Sequence, residues 1–216
     1  MDNQLKEIIG AALAAIGTII SAVSTIPAKS KKMEKLFDGL DIVGNSLQAT
    51  GNALEAEGQS EPSLEKAGNE IQAIGNITVI AGLILDLEEE NEDKLVIAGN
   101  WIQALGGATA LGDEFEDPTA AGQLFNIYGN LLQAIGNSLQ AIGGTINLRE
   151  KERGESGDSA NNIIAAGSWI QAVGSVLSLI GQLQEENQEI SSGSSDESDD
   201  RTQNLLSLKK KLIREG

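Results

Sequence analysis

Glycine returns every seventh residue in one segment of this chain after another. The clearest copies are GNSLQATG (Gly44 to Gly51), GNEIQAIG (Gly68 to Gly75), GNWIQALG (Gly99 to Gly106), GNLLQAIG (Gly129 to Gly136) and GSWIQAVG (Gly167 to Gly174). Seven residues make nearly two turns of α-helix, so the two glycines of each copy fall on one helix face. A glycine inside a helix costs about 1 kcal/mol relative to alanine. Repeating that cost at a fixed position marks a strip of bare backbone against which another helix packs closely. The fold expected is all-α: about six long antiparallel helices in a closely packed bundle built from glycine-heptad repeats. Gly44, Gly51, Gly68, Gly75, Gly99, Gly106, Gly129, Gly136, Gly167 and Gly174 are its helix-packing positions.

The breaks between copies divide the chain. A first helix runs from about Asn3 to Ile26, where Pro27 stops it, and a second from about Lys32 to Glu57. Ser60, Glu61 and Pro62 read as the start of a third, which lasts to about Leu87. A fourth covers about Glu92 to Leu111. Asp117 and Pro118 then suit the N-cap and first residue of a fifth, which extends to about Leu148. A sixth follows the polar segment Arg149 to Ser159 and ends near Gln188. Residues 1–188 are thus read as the helical repeat bundle. Residues 189–203, an acidic run of serine and aspartate, offer almost no apolar surface and are expected to be a disordered linker. Residues 204–216 return to helical spacing, with Leu205, Leu208 and Leu212 beside Lys209, Lys210 and Lys211, and are expected to form a short basic amphipathic helix.

Numbered from glycine, the heptads usually have asparagine at position two and carry glutamine at position five (Gln48, Gln72, Gln103, Gln133, Gln140 and Gln171). Alanine holds position six, and positions four and seven are apolar, as in Ile71 and Ile74 or Ile102 and Leu105. At 100° per residue the large apolar residues form one arc and the amides another, with glycine on the border. Leu, Ile, Val and Ala are expected to fill the core. The amide strip then has three readings: a solvated bundle face, side-chain hydrogen bonds between helices or subunits, or a polar lumen. Regular repetition makes regular pairing geometrically easy, which favours hydrogen bonding between helices. Trp101 and Trp169 share heptad position three and are expected to pack in the core or line a groove.

Few chemistries remain open. There is no cysteine and no histidine, which removes disulfides, thiolate and imidazole metal sites and the usual nucleophile–base pairs. The acidic clusters at Glu88 to Asp93 and Asp113 to Asp117 lack a calcium-loop spacing, and the glycines lack the Lys-Ser/Thr ending of a phosphate loop. A formal charge of −17 argues against nucleic acid as a partner. The sequence therefore points away from an enzyme. It shows no small-molecule substrate, cofactor or metal, and leaves a homo-oligomer or a protein partner as the expected association.

The segment from Ile8 to Pro27 carries no charge and is long enough to span a bilayer. The start MDNQLKE is not basic, as a secretory signal would be. Gly10, Gly17 and Ser24 keep the seven-residue spacing, so the segment reads as a buried helix of the bundle in preference to a membrane anchor. On that basis Ile16→Asp should open the bundle by placing an unpaired carboxylate in an apolar interior.

From Gly10 to Gly181 the spaced copies of GNxLQAIGN resemble glycine-repeat helical proteins of Bacillus-type spore-forming bacteria. The resemblance implies a bacterial origin and no established activity, and it carries over no functional residue. The function expected is a noncatalytic structural or protein-interaction protein, self-assembling and cytoplasmic. The alternative is a membrane-active protein, anchored or inserting through residues 8–27.

Overall fold

The computed structural model describes residues 3–114, 122–155 and 158–215, with side chains described for 3–112, 122–155 and 158–188. Among the described residues there are six helices: α1 (Asn3–Ser24), α2 (Lys31–Gly58), α3 (Leu64–Ile84), α4 (Glu89–Glu114), α5 (Gln123–Arg153) and α6 (Asp158–Glu215). The fold is an all-α bundle, as the repeat spacing predicts.

Local chemistry sets the boundaries. Ser30 caps α2 by accepting from the Met33 amide at 3.3 Å, and Ser63 caps α3 by accepting from the Lys66 amide at 2.9 Å. The third helix thus starts after Pro62, because Ser63 supplies the cap. The fourth begins at Glu89, earlier than the sequence suggests, and Glu89, Glu90 and Glu92 in its first turn suit the positive end of the helix dipole. The fifth begins after Gly122 and ends at Gly154; both adopt the left-handed conformation, at φ 83° and 68°, that glycine accepts readily. Lys151 and Arg153 occupy its last turn and extend it past Leu148. The expected cap at Asp117 and Pro118 lies outside the described residues. The backbone of α6 continues as helix through Glu215, past the composition changes at 189 and 204; side chains beyond Gln188 lie outside the description.

The glycines meet in pairs. In the α1/α2 hairpin Gly10 faces Gly51 and Gly17 faces Gly44; in α3/α4 Gly68 faces Gly106 and Gly75 faces Gly99; in α5/α6 Gly129 faces Gly174 and Gly136 faces Gly167. A methyl group added at Gly136 would lie 2.6 Å from the Gly167 carbonyl oxygen, closer than carbon and oxygen tolerate. Each of the ten glycines identified from sequence lies against a neighbouring helix at this kind of distance. Gly10 and Gly17 complete the pairs on the α1 side.

Three hairpins therefore form through glycine contacts, and looser seams join them. α2 packs on α3, α4 on α5, and α6 returns to α1. Among the described residues no helix packs on any but its two neighbours, so the six form a closed ring around a common axis. Ion pairs lie near the helix ends: Lys6–Glu57 at 3.0 Å, Lys151–Glu89 at 2.9 Å and Lys151–Asp93 at 2.7 Å.

Candidate functional site

The interior of the ring differs from the expected core of Leu, Ile and Val. Among the described residues its buried apolar side chains are alanines and Val79, and the rest are glycine, asparagine, glutamine, serine, threonine and Glu186. Asn76, Gln103 and Asn137 are the largest side chains almost wholly removed from solvent. The large apolar residues point outward instead. Ile74 is 56% exposed, Leu105 60% and Val173 54%, all at heptad position seven. Trp101 and Trp169 lie on the same outer surface, at 46% and 44%, so neither packs in the core. Ile16 is half exposed, which corrects the expectation that it points into an apolar interior.

The inversion has a steric cause. Glycine permits two backbones to touch only if the residues beside it on the inward face are short or can lie along the axis. On the wheel, positions one, five, two and six span one continuous half of the helix: glycine, glutamine, asparagine and alanine. The bulky residues at three, four and seven take the other half. Turning that half inward would force apart the glycine contacts on which the hairpins depend.

Buried amides require partners, and the repeat supplies them in layers. Gln171 on α6 donates through Nε2 to Gln48 Oε1 on α2 at 2.9 Å and to Gln103 Oε1 on α4 at 3.3 Å, bridging three alternate helices across the axis. Its own Oε1 accepts from Gln140 Nε2 on α5 at 2.8 Å. Gln48 Nε2 donates to Ser21 Oγ at 3.2 Å, so α1 takes part through a short hydroxyl where other helices carry an amide. Gln133 Nε2 donates to Ser178 Oγ at 2.9 Å. Hydrogen bonding between helices, the favoured reading of the amide strip, is therefore present, and it converges on the axis. Gln103 Nε2, Asn76 Oδ1 and Asn137 Nδ2 are buried without a protein hydrogen-bond partner.

Two polar cavities lie within the ring, stacked along it. The larger, about 90 Å³, is lined by Asp41, Asn45, Gln48, Asn100, Gln103 and Gln171 among others. The smaller, about 20 Å³, is lined by residues that include Asn52, Glu55, Glu65, Asn69, Asn130 and Gln182. Along α2 the lining passes from Asp41 through Gln48 in one cavity to Asn52 and Glu55 in the other, and along α6 from Gln171 to Ser175 and Gln182. The Gln48–Gln171–Gln103 bridge stands at the inner end of the larger cavity. At the far end Gln182 Nε2 donates to Glu7 Oε2 and Glu186 Oε1, both at 3.1 Å. Among the described residues no three acidic side chains converge as a metal site would need.

Replacing Gln171 with leucine tests the network. The substitution keeps the volume but strips partners from Gln48, Gln103 and Gln140 together. Each buried polar group left unpaired costs about 1–3 kcal/mol, so a loss of about 3 kcal/mol or more is expected in a thermal melt. Ser168 Oγ lies 3.0 Å from both Gln140 Oε1 and the Ile164 carbonyl of its own helix and has one proton to share between them, so Ser168→Ala unpairs fewer groups and should cost less.

Reading this interior from sequence required knowing which half of each helix faces the axis. The amides themselves were visible; their direction was not. No curated protein and no solved structure matches the chain. A family profile does match, from residue 5 to residue 179, which takes in nearly all of α1, the whole of α2 to α5 and the glycine-paired part of α6. The chain belongs to the DUF6944 family, a family of unknown function.

Proposed function

We propose that this protein is a noncatalytic, membrane-inserted helical bundle whose apolar outer surface faces lipid. One observation carries the proposal: the polarity is inverted, with amides and small residues inside and Ile, Leu, Val and Trp outside on the ring. A soluble helix turns its apolar stripe to the core and its charges to water. A bilayer rewards the opposite arrangement, because exposed aliphatic groups are at home in hydrocarbon and polar groups need internal partners. Small residues at close helix contacts also suit packing within lipid, where no hydrophobic effect drives helices together.

Length and charge placement agree. α1, the Glu89–Gly112 part of α4 and the Asp158–Gln188 part of α6 are each long and apolar enough to cross a membrane. Outside those helices, the uncharged stretch of α3 from Ile71 to Ile84 measures about 21 Å, somewhat short of a typical hydrocarbon core and within reach of local thinning. Charges gather near the helix ends, and residues 118–147 and 161–184 have none. The inserting unit is thus the whole ring, with α1 as one member and not a separate anchor.

The competing reading is a soluble assembly in which copies of the chain or a protein partner cover the apolar faces. A twofold dimer covers one face of each protomer. Here outward Ile, Leu, Val or aromatic residues occur on all six helices, which favours a continuous environment. Flotation with phosphatidylcholine vesicles tests the choice. The full chain is expected to rise with the vesicles and to stay with them through high-salt and carbonate washes. Recovery as a defined lipid-free oligomer in the soluble fraction would favour the assembly.

A further inference from the structure

We propose that the axis of the ring is a closed conduction path for small monovalent cations, with the Gln48–Gln171–Gln103 bridge as its gate. The inference rests on the membrane-inserted reading and names what would pass through the inserted bundle.

Four observations converge. Two polar cavities lie end to end inside one ring of helices, lined by successive residues along α2 and α6. A cavity of about 90 Å³ holds several water molecules, and one of about 20 Å³ holds a single one. Gln103 lines the larger cavity and is 2% exposed; its Oε1 accepts from Gln171, and its Nε2 is buried without a protein partner. An amide donor held in that position suits a hydrated interior better than a dry one. The lining also has a sign. Asp41 lines one cavity, Glu55 and Glu65 the other, and neither lining includes a lysine or arginine.

Those features choose the permeant class. A low-dielectric path lined by amide oxygens and the Asp41 carboxyl group, with no lysine or arginine to offset them, attracts cations and repels anions. Carbonyl oxygens of Gln48, Gln103 and their neighbours can replace part of the water shell of a monovalent ion, whereas a divalent ion gives up water reluctantly. The gate is two hydrogen bonds donated by one amino group, from Gln171 Nε2 to Gln48 and Gln103. It closes the path without an apolar plug, and rotation of one side chain would release both bonds.

The experiment uses the full chain reconstituted in phosphatidylcholine vesicles loaded with potassium chloride. Potassium efflux and chloride efflux are measured separately, and insertion is read in the same vesicles from tryptophan quenching by brominated lipid. Wild type is compared with Gln171→Ala, which removes the bridge and opens space, and with Gln171→Leu, which removes the bridge and fills the space with hydrocarbon. The expected result is potassium efflux at least tenfold faster for Gln171→Ala than for wild type, Gln171→Leu no faster than wild type, and chloride efflux unchanged throughout. Asp41→Asn in the alanine background should reduce potassium efflux severalfold. Inserted protein whose alanine variant passes no potassium overturns the path while leaving membrane insertion standing. Equal release of potassium and chloride overturns the cation assignment. Absence of quenching in wild type removes the membrane reading and the path with it.

Discussion

Gly136→Leu is expected to destabilise the bundle by more than about 3 kcal/mol, beyond the usual range for an overpacked core. Even the first carbon of the new side chain would lie 2.6 Å from both the Gly167 carbonyl oxygen and the Gln171 amide nitrogen. Those neighbours are backbone, so no rotamer change relieves the clash; α5 and α6 must separate. Separation would also break the Gln140–Gln171 bond one turn away. The control is Gly39, a helical glycine of α2 with nothing within 4 Å of an added carbon. Gly39→Ala should be neutral or stabilising by up to about 1 kcal/mol, through helix propensity alone. Thermal unfolding in detergent measures both. Equal stability of Gly136→Leu and wild type would mean that these backbones do not touch.

Ile16→Asp is the second large effect, and it falls on partitioning, not on folding. Ile16 lies near the middle of α1 and faces outward. A carboxylate at the centre of a membrane-crossing helix costs about 2.5–3.5 kcal/mol of insertion free energy, so vesicle binding should weaken by about two orders of magnitude. In detergent, where the position meets micelle and water, the melt should change by about 0.5 kcal/mol or less, as for other surface positions. A conventional apolar core would produce the reverse: a collapsed fold in detergent, caused by a charge buried without a partner.

That contrast shows where sequence reasoning stopped. Helix number and the role of the glycines follow from local rules: spacing of seven, a stop at Pro27 and a helix start around Pro62. These depend on a few neighbouring residues. Whether Ile74 or Gln72 faces the axis depends on what surrounds the molecule, and a heptad with glycine on the border between two equal arcs is compatible with either answer. Assuming water outside placed the aliphatic arc in the core. The glycine contacts decide otherwise, because only the arc of Gly, Ala, Asn and Gln fits between touching backbones. Gln171 shows the same limit at one residue. Its place in the repeat was evident, but a bridge to Gln48 and Gln103 joins three hairpins distant in sequence. The register between hairpins is set by the closed ring and cannot be read from any one of them.

The direct measurement of the inverted arrangement uses the chain's own fluorophores. Trp101 and Trp169 are its two tryptophans, both on the outer surface and both well inside the membrane-length segments of α4 and α6. In vesicles whose acyl chains carry bromine near mid-depth, their emission is expected to be strongly quenched, while aqueous iodide leaves it almost unchanged. Emission quenched by iodide and indifferent to brominated chains would place both indoles in water and contradict a lipid-facing surface.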